Sequence, residues 1–431
     1  MNLRSIAPAL AAALVVAACG GNGEPAPAPT GVAATVGDGI VTVSWNDDPG
    51  VQYWLFVSAN SGLTTENFNQ FPDTRVLRNA RSPTSLCGYP NGRTQYFTLN
   101  GRIDGGPGGP GSPTLAATPR AAGASWNAGA ALAADLAGVG YAPLTTCTAT
   151  ALPSGIFVAV GPNAAIFSST DGRNFTARSA PAGFAADLNA VAAYTASLNN
   201  PSAPNSKIVA VGAGASALVS SDGVTWTVGS AYNAGSPAWR AITVYGATFI
   251  AVGDAGAIAT TTDGLTWTAR TSNTSADLTG IACSSTHCIA VGAGGAYVVS
   301  TDAGATWTAS TIAGAPALRK IGYGNFNNNE GSTSVAINTF VAVGDGGVIA
   351  RSTDAGATWT TATVAGAGNF AGIGYTTRFV ALDTAGNAFA SVDGQSWSAL
   401  SVTGITGVRA LTGTGFGYVA VGAGGVNASA F

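Results

Sequence analysis

From about residue 120 to the end, short apolar runs return with the same ending. Strand-length segments closing in Ala-Val-Gly or a near variant stand at Phe157–Gly161, Ile208–Gly212, Phe249–Gly253, Ile289–Gly292, Phe340–Gly344 and Tyr418–Gly422, with a degraded copy at Phe379–Asp383. Each is succeeded by a second short apolar strand and then by a polar turn. Runs of this length, rich in Val, Ile and Phe and bounded by Gly and Asp, predict strands rather than helices. Self-similarity on this scale predicts a repeat architecture in which every unit buries its faces against its neighbours. Each repeat reads as an inner strand, the Ala-Val-Gly strand, a third strand, a turn and an outer strand. The last repeat, Tyr418–Phe431, stops before any outer strand. The missing strand is found at the other end, because Trp126 precedes Ala134-Asp135-Leu136-Ala137-Gly138-Val139 as Trp267 precedes Ala276-Asp277-Leu278-Thr279-Gly280-Ile281. The strand at Trp126 is therefore expected to complete the last sheet, closing a ring of seven and removing exposed sheet edges.

The turn has its own spelling, Ser/Thr-x-Asp followed by Gly or Ala-Gly and then by Trp. It occurs with Asp171 (closing on Phe175), Asp222 (Trp226), Asp263 (Trp267), Asp302 (Trp307), Asp354 (Trp359) and Asp393 (Trp397). Gly supplies a positive φ and Asp accepts nearby backbone N–H groups, so these Asp residues are expected to be structural. The aromatic residue starts the outer strand and is expected to pack between neighbouring sheets. The box resembles the Asp-box, or BNR, repeat of β-propellers. With inner-strand Ile/Leu and Ala-Val-Gly-x-x-Gly, residues 120–431 also resemble the photosystem II assembly and stability factor family, best in the fourth and fifth repeats. That resemblance implies a β-propeller that binds a protein client.

Residues 31–118 pattern differently. Val41-Thr42-Val43-Ser44-Trp45 alternates as a half-buried strand does, and Tyr53–Val57 and Tyr96–Leu99 come after it between turn residues. The segment resembles a fibronectin type III domain, with Trp45 as its core Trp, Tyr96 as its tyrosine corner and Gly111–Pro119 as its closing strand. The fold class expected is thus all-β, a sandwich followed by a propeller at 119–431. Ahead of both, Arg4 and the apolar run Ile6–Ala18 read as a signal peptide over residues 1–18, too short to span a bilayer stably. Its end, Val16-Ala17-Ala18-Cys19, resembles a bacterial lipobox, which implies lipidation of Cys19. Residues 19–30 then form a lipidated Pro/Ala/Gly tether. Gly20 in place of Asp, by resemblance to Gram-negative lipoproteins, favours the outer membrane.

Charge removes one function class. Charged residues make up 9% of the chain, the formal net charge is −3, and lysine occurs only at Lys207 and Lys320. No basic field is present to attract nucleic acid. Beyond Cys19, the even number of cysteines suggests disulfides in an exported protein. Cys283 and Cys288 flank one tight turn and are expected to bond. Cys87 and Cys147 would cross-link the two domains, which spacing alone does not establish. His287 is the only histidine, so no metal site is expected, and no cofactor.

Sialidases also carry Asp-boxes, which raises catalysis as an alternative. They resemble one another in an arginine triad, a Tyr nucleophile helped by Glu, and a separate Asp; they have six blades. Here every propeller Asp has a repeat-based place. Six are in the boxes, Asp135, Asp187 and Asp277 precede inner strands, and Asp254, Asp345 and Asp383 come just after the Ala-Val-Gly strand. Glu330 lies in the polar segment Asn325–Ser334, expected to be a loop. No catalytic site is assigned. Arg240, Arg319 and Arg409 share one repeat position, at the start of inner strands three, five and seven. They either grip a carboxylate or acidic peptide at one mouth of the central channel, or pair with Asp135, Asp187 or Asp277 on the rim. The long segments Ala142–Gly155, Thr195–Ser206 and Asn325–Asn338 would lie on the opposite face. The favoured function is a non-catalytic, lipid-anchored envelope scaffold binding an envelope or surface protein. The alternatives are a glycan-binding or sialidase-like surface protein and a structural surface component.

Overall fold

The computed structural model describes residues 23–123, 125–145, 154–195, 206–229, 235–328, 335–401 and 405–431. Cys19 with its lipobox, Ala124, Cys147, Glu330 and the centres of the three long inter-strand segments lie outside the described residues. The chain divides into two compact units, Met1–Ala34 with Val43–Thr84 and Thr94–Ala117, and Thr35–Thr42 with Ser85–Arg93 and Thr118–Phe431.

The N-terminal strands are β1 (Ala33–Gly37), β2 (Ile40–Ser44), β3 (Gln52–Ser58), β4 (Arg75–Ala80), β5 (Thr84–Cys87), β6 (Gln95–Arg102) and β7 (Leu115–Ala117). They form one sheet of order β1-β2-β5 and another of order β4-β3-β6-β7. Alternation places Val41 and Val43 of β2 inside, together with Leu55 and Val57 of β3 and Phe97 and Leu99 of β6, all under 2% exposed. Trp45 is buried and its ring meets that of Tyr53 at 5.5 Å between centroids. The expected tyrosine corner is absent at Tyr96, whose hydroxyl has no hydrogen-bond partner among the described residues. Tyr53 is the tyrosine that bonds nearby backbone, accepting from the Asp48 N–H and donating to the Asn46 carbonyl.

Among the described residues, the rest of the chain forms seven four-stranded antiparallel sheets. Their inner strands are Gly138–Thr145, Leu188–Tyr194, Trp239–Tyr245, Leu278–Cys283, Leu318–Asn328, Phe370–Tyr375 and Val408–Gly413. This is β-propeller architecture. Six sheets take their strands in chain order. The seventh borrows its outer strand from far upstream, where β8 (Asn127–Ala128) pairs with Asn427–Ala430 through Ala428↔Ala128 and Ser429↔Asn127. The strand expected at Trp126 is thus present, beginning one residue later.

The Ala-Val-Gly strands are buried on both faces, which is why they read as continuous apolar runs rather than alternating ones. One face of each packs on the sheet before and the other on the sheet after. Leu136 and Phe157 of the first sheet share a core with Val419 and Val421 of the seventh, so the series returns on itself. Each fully buried Phe, Ile or Val of these layers contributes about 1.5–3 kcal/mol. The box Trp residues pack on the preceding sheet, Trp226 with Val158 and Trp307 with Ile250 and Val252.

Within the box the Ser300 hydroxyl donates to Asp302, and Asp302 accepts the Thr306 N–H and hydroxyl at 2.9 and 2.6 Å. Gly304 adopts φ +82° and lies so close to the preceding sheet that a Cβ would stand 2.9 Å from Ile250 Cδ1. The turn therefore needs Gly for backbone and for packing. Of the polar segment Asn325–Ser334, expected to be a loop, the described residues Asn325–Asn328 instead extend a strand, with Asn325↔Asn338 and Phe326↔Ile337 paired. Its run of Asn residues reads as turn chemistry, which hid the strand pairing.

Candidate functional site

The inner strands start irregularly, and the irregularity builds the site. In sheets two to seven the pairing of the inner strand slips by one residue near its start, as between Leu318↔Gly344 and Lys320↔Val343. The skipped residues are Asn189, Arg240, Thr279, Arg319, Ala371 and Arg409. A bulge releases one side chain from the ladder and re-aims it. All six, with Ala137 of the first sheet, line a single cavity of about 270 Å³. The three arginines singled out from the sequence are therefore brought to one mouth. Beneath it lies a narrower cavity of about 140 Å³, lined by residues of all seven inner strands.

Each arginine already has an acidic partner. Arg240 donates to Asp254 at 2.6 and 3.1 Å, Arg319 to Asp345, and Arg409 lies 3.0 Å from Asp135. The hydrogen bond that Arg240 donates to Asp254, then the charge of Asp254, hold the guanidinium above its ordinary pKa against the cost of burial. The rim pairing expected from the sequence is correct only for Arg409. Arg240 and Arg319 take the Asp of their own sheet's turn after the Ala-Val-Gly strand, Asp254 and Asp345, whereas the seventh sheet has Ala423 there and Arg409 turns to Asp135. Asp187 and Asp277 do another job. They accept the Asn163 and Ala255 N–H groups of the preceding sheet at 2.9 and 2.8 Å, as Asp135 accepts Gly424 and Asn369 accepts Gly346. These carboxylates and the Asn amide staple one sheet's turn to the next sheet. All three arginine–aspartate pairs are more than one-third exposed on at least the arginine side, so each is worth ~0–1 kcal/mol.

Lys320 is the site residue that the sequence reading missed. It lines both the mouth and the narrow cavity. Its signal was in the repeat, since the equivalent residues are Gly138, Ala190, Ala241, Gly280, Gly372 and Ala410. Burial, and then the charge of Arg319, push its ammonium below the ordinary lysine range. Among the described residues no carboxylate lines either cavity, and Lys320 has no hydrogen-bond or ion-pair partner.

Elsewhere, Cys283 and Cys288 are bonded across paired positions of one hairpin. Cys87 is also disulfide-bonded; Cys147, its expected partner, lies outside the described residues. The other box aspartates, 171, 222, 263, 354 and 393, each accept from the Ser or Thr two residues earlier and from backbone of their own turn.

The fold and mouth define a β-propeller. Residues 205–363 match the family described as the DUF6242 beta propeller domain. No curated protein matches the chain. Among solved structures the chain is similar to YCF48 bound to a D1 peptide, with a TM-score of 0.53 at 18% identity over 70% of this chain and 96% of that one. YCF48 from Cyanidioschyzon merolae gives 0.50 at 15% identity over 70% and 98%. The RRP9 WD40 repeats give 0.50 at 10% identity over 72% and 98%. At these identities the likeness is one of fold.

Proposed function

We propose that the chain is a non-catalytic, lipid-anchored cell-envelope scaffold that holds another protein at the arginine-rimmed mouth of a seven-bladed propeller, carried behind a fibronectin type III-like sandwich. The observation that carries the reading is the convergence of three bulge arginines from separate sheets on one cavity. A repeat protein has no folding need to place its cations there. Seven inner strands around one cavity support the blade number, and the strand orders β1-β2-β5 and β4-β3-β6-β7 support the sandwich reading. A structural neighbour, YCF48, was solved with a peptide bound, which favours a protein partner. The non-catalytic reading is supported by the box aspartates, each engaged in its own turn. Anchoring rests on Cys19 and its lipobox.

The test is capture from fractionated, detergent-solubilised envelopes. The native chain is expected in the membrane fraction and Cys19→Ser in the soluble one. The native chain is expected to retain a partner that Arg240→Ala/Arg319→Ala/Arg409→Ala loses at equal folded content. Identical partner sets would overturn the arginine-mouth reading, and a soluble native chain would overturn the anchoring.

A further inference from the structure

The arginines at the mouth are neutralised in pairs, which leaves one channel cation without a counter-charge among the described residues. Lys320 stands where every other sheet has Gly or Ala. The position is cramped. A Cβ on Gly280 would lie 2.9 Å from Lys320 Cα, and one on Gly372 would lie 2.5 Å from Leu411 Cβ. Small residues there let adjacent inner strands approach, so a long charged side chain at that place serves no packing need visible in the other six sheets. The next ring down, from Val139 and Val191 through Ile242, Ile281, Ile321 and Ile373 to Leu411, turns its side chains mostly into the cores between sheets and leaves only a narrow cavity. An ammonium held there without a counter-charge costs free energy unless an anion joins it.

We propose that Lys320 is the receptor for a single carboxylate on a slender aliphatic stem, admitted through the arginine-rimmed mouth into the propeller channel. One positive charge matches a monoanion, and the narrowness of the cavity beneath matches a slender stem. The narrow cavity, about 140 Å³, has room for a group the size of a few water molecules and no more. Two sources carry this chemistry, a free short-chain carboxylate and the C-terminus of a polypeptide ending in an aliphatic residue. The paired arginines would guide the anion inward while Lys320 holds it by a charge-assisted hydrogen bond. The inference rests on the binding reading and deepens it by naming the chemistry at its mouth; the two share the mouth and channel, while the test of this one turns on Lys320 alone.

Because lysine occurs only at Lys207 and Lys320, the full-length chain grown with [ε-13C]lysine has two side-chain signals. Lys207 donates to the Thr262 carbonyl far from the mouth and serves as the internal reference. Titration with butyrate is expected to move the Lys320 signal saturably and leave Lys207 in place, whereas the neutral isostere butyramide moves neither. Calorimetry is expected to show butyrate binding weakened about tenfold or more in Lys320→Met, the loss of one hydrogen bond to a charged group. Lys320→Ala, which restores the residue of sheets two, three and seven, is expected to behave likewise and guards against misfolding of the first variant. A hexapeptide ending in free Val that competes with butyrate, while its C-terminal amide does not, assigns the polypeptide source; butyrate binding without peptide competition assigns the free carboxylate. A Lys320 signal unmoved by tens of millimolar butyrate, or moved equally by butyramide, overturns the inference. That failure leaves the scaffold reading standing if arginine-dependent capture persists, since capture needs no butyrate site.

Discussion

At the scale of single residues, the repeat explains most of what each acidic group does. Asp302 shows the pattern. The Thr306 hydroxyl, then the Thr306 N–H, hold its carboxyl down to about 2. Its folded pKa lies below that of an unfolded Asp, ~3.9. The stabilisation is therefore present above about pH 4 and lost as pH falls through about 2. Asp302→Asn is expected to be less stable than the native chain at pH 6, with the gap closing between pH 4 and 2, as read by urea unfolding at each pH. A constant gap would mean that the carboxylate charge is irrelevant to the turn. At Lys320 the same direction of shift marks a charge that costs stability rather than one that adds it. Its folded pKa is lowered by burial and by Arg319, while the three arginines at the mouth are fixed charges and, among the described residues, no carboxylate lines either cavity. The unfolded chain then binds the extra proton between the lowered pKa and ~10.4, so stability rises with pH across that window. Lys320→Met is expected to be more stable than the native chain at pH 7 and to lack that rise; thermal unfolding from pH 7 to 10 measures both. Above pH 10 the buried Tyr141, whose hydroxyl is raised to about 12 by burial, drives stability down in both proteins.

At the scale of elements, the boxes and Ala-Val-Gly strands were legible because they recur, and a recurring phrase declares its own alignment. The strand at Trp126 was legible for the same reason, from the Ala-Asp-Leu-x-Gly phrase downstream of it. Features that do not recur were harder to read. The bulge at the start of the inner strands of sheets two to seven has no residue signature of its own, since Asn, Arg, Thr and Ala all occupy it, so the aspartate that each arginine meets was not readable. Lys320 was visible as one of two lysines but not as a breach of a Gly/Ala ring, because composition discards position. The strand extension at Asn325–Asn328 was hidden by its Asn-rich composition, which reads as a turn. The junction of β8 with the seventh sheet is held by few contacts. The Gly129 N–H donates to the Asn427 carbonyl at 2.9 Å, and the buried Asn427 amide donates to the Ala130 carbonyl at 2.6 Å. Asn427→Ala is expected to cost about 1–3 kcal/mol by stranding that carbonyl and loosening the strand. Limited proteolysis should then cut near residue 130 faster than in the native chain. Unchanged cleavage and melting would show that pairing through Ala128 suffices.

At the scale of the whole molecule, low charge and abundant Gly are consequences of the architecture rather than clues to a ligand. Sheets packed face to face on both sides leave little surface for charge, and tight turns call for Gly. The charge that remains is spent on staples between sheets and on the mouth. Function was accordingly less legible than fold, because the residues proposed here for binding are few and do not stand out by composition. The seventh sheet has one more consequence, in time rather than in space. Ala128 and Ala428 are partners 300 positions apart. At ~5–20 residues per second, a ribosome takes roughly 15–60 s to make the second after the first. Throughout that interval the earliest strand of the ring has nothing to join, and the first sheet presents an uncovered apolar face to every other nascent chain nearby. A propeller fastened this way is vulnerable while it is being made, until the strand that carries Ala428 arrives to pair with Ala128.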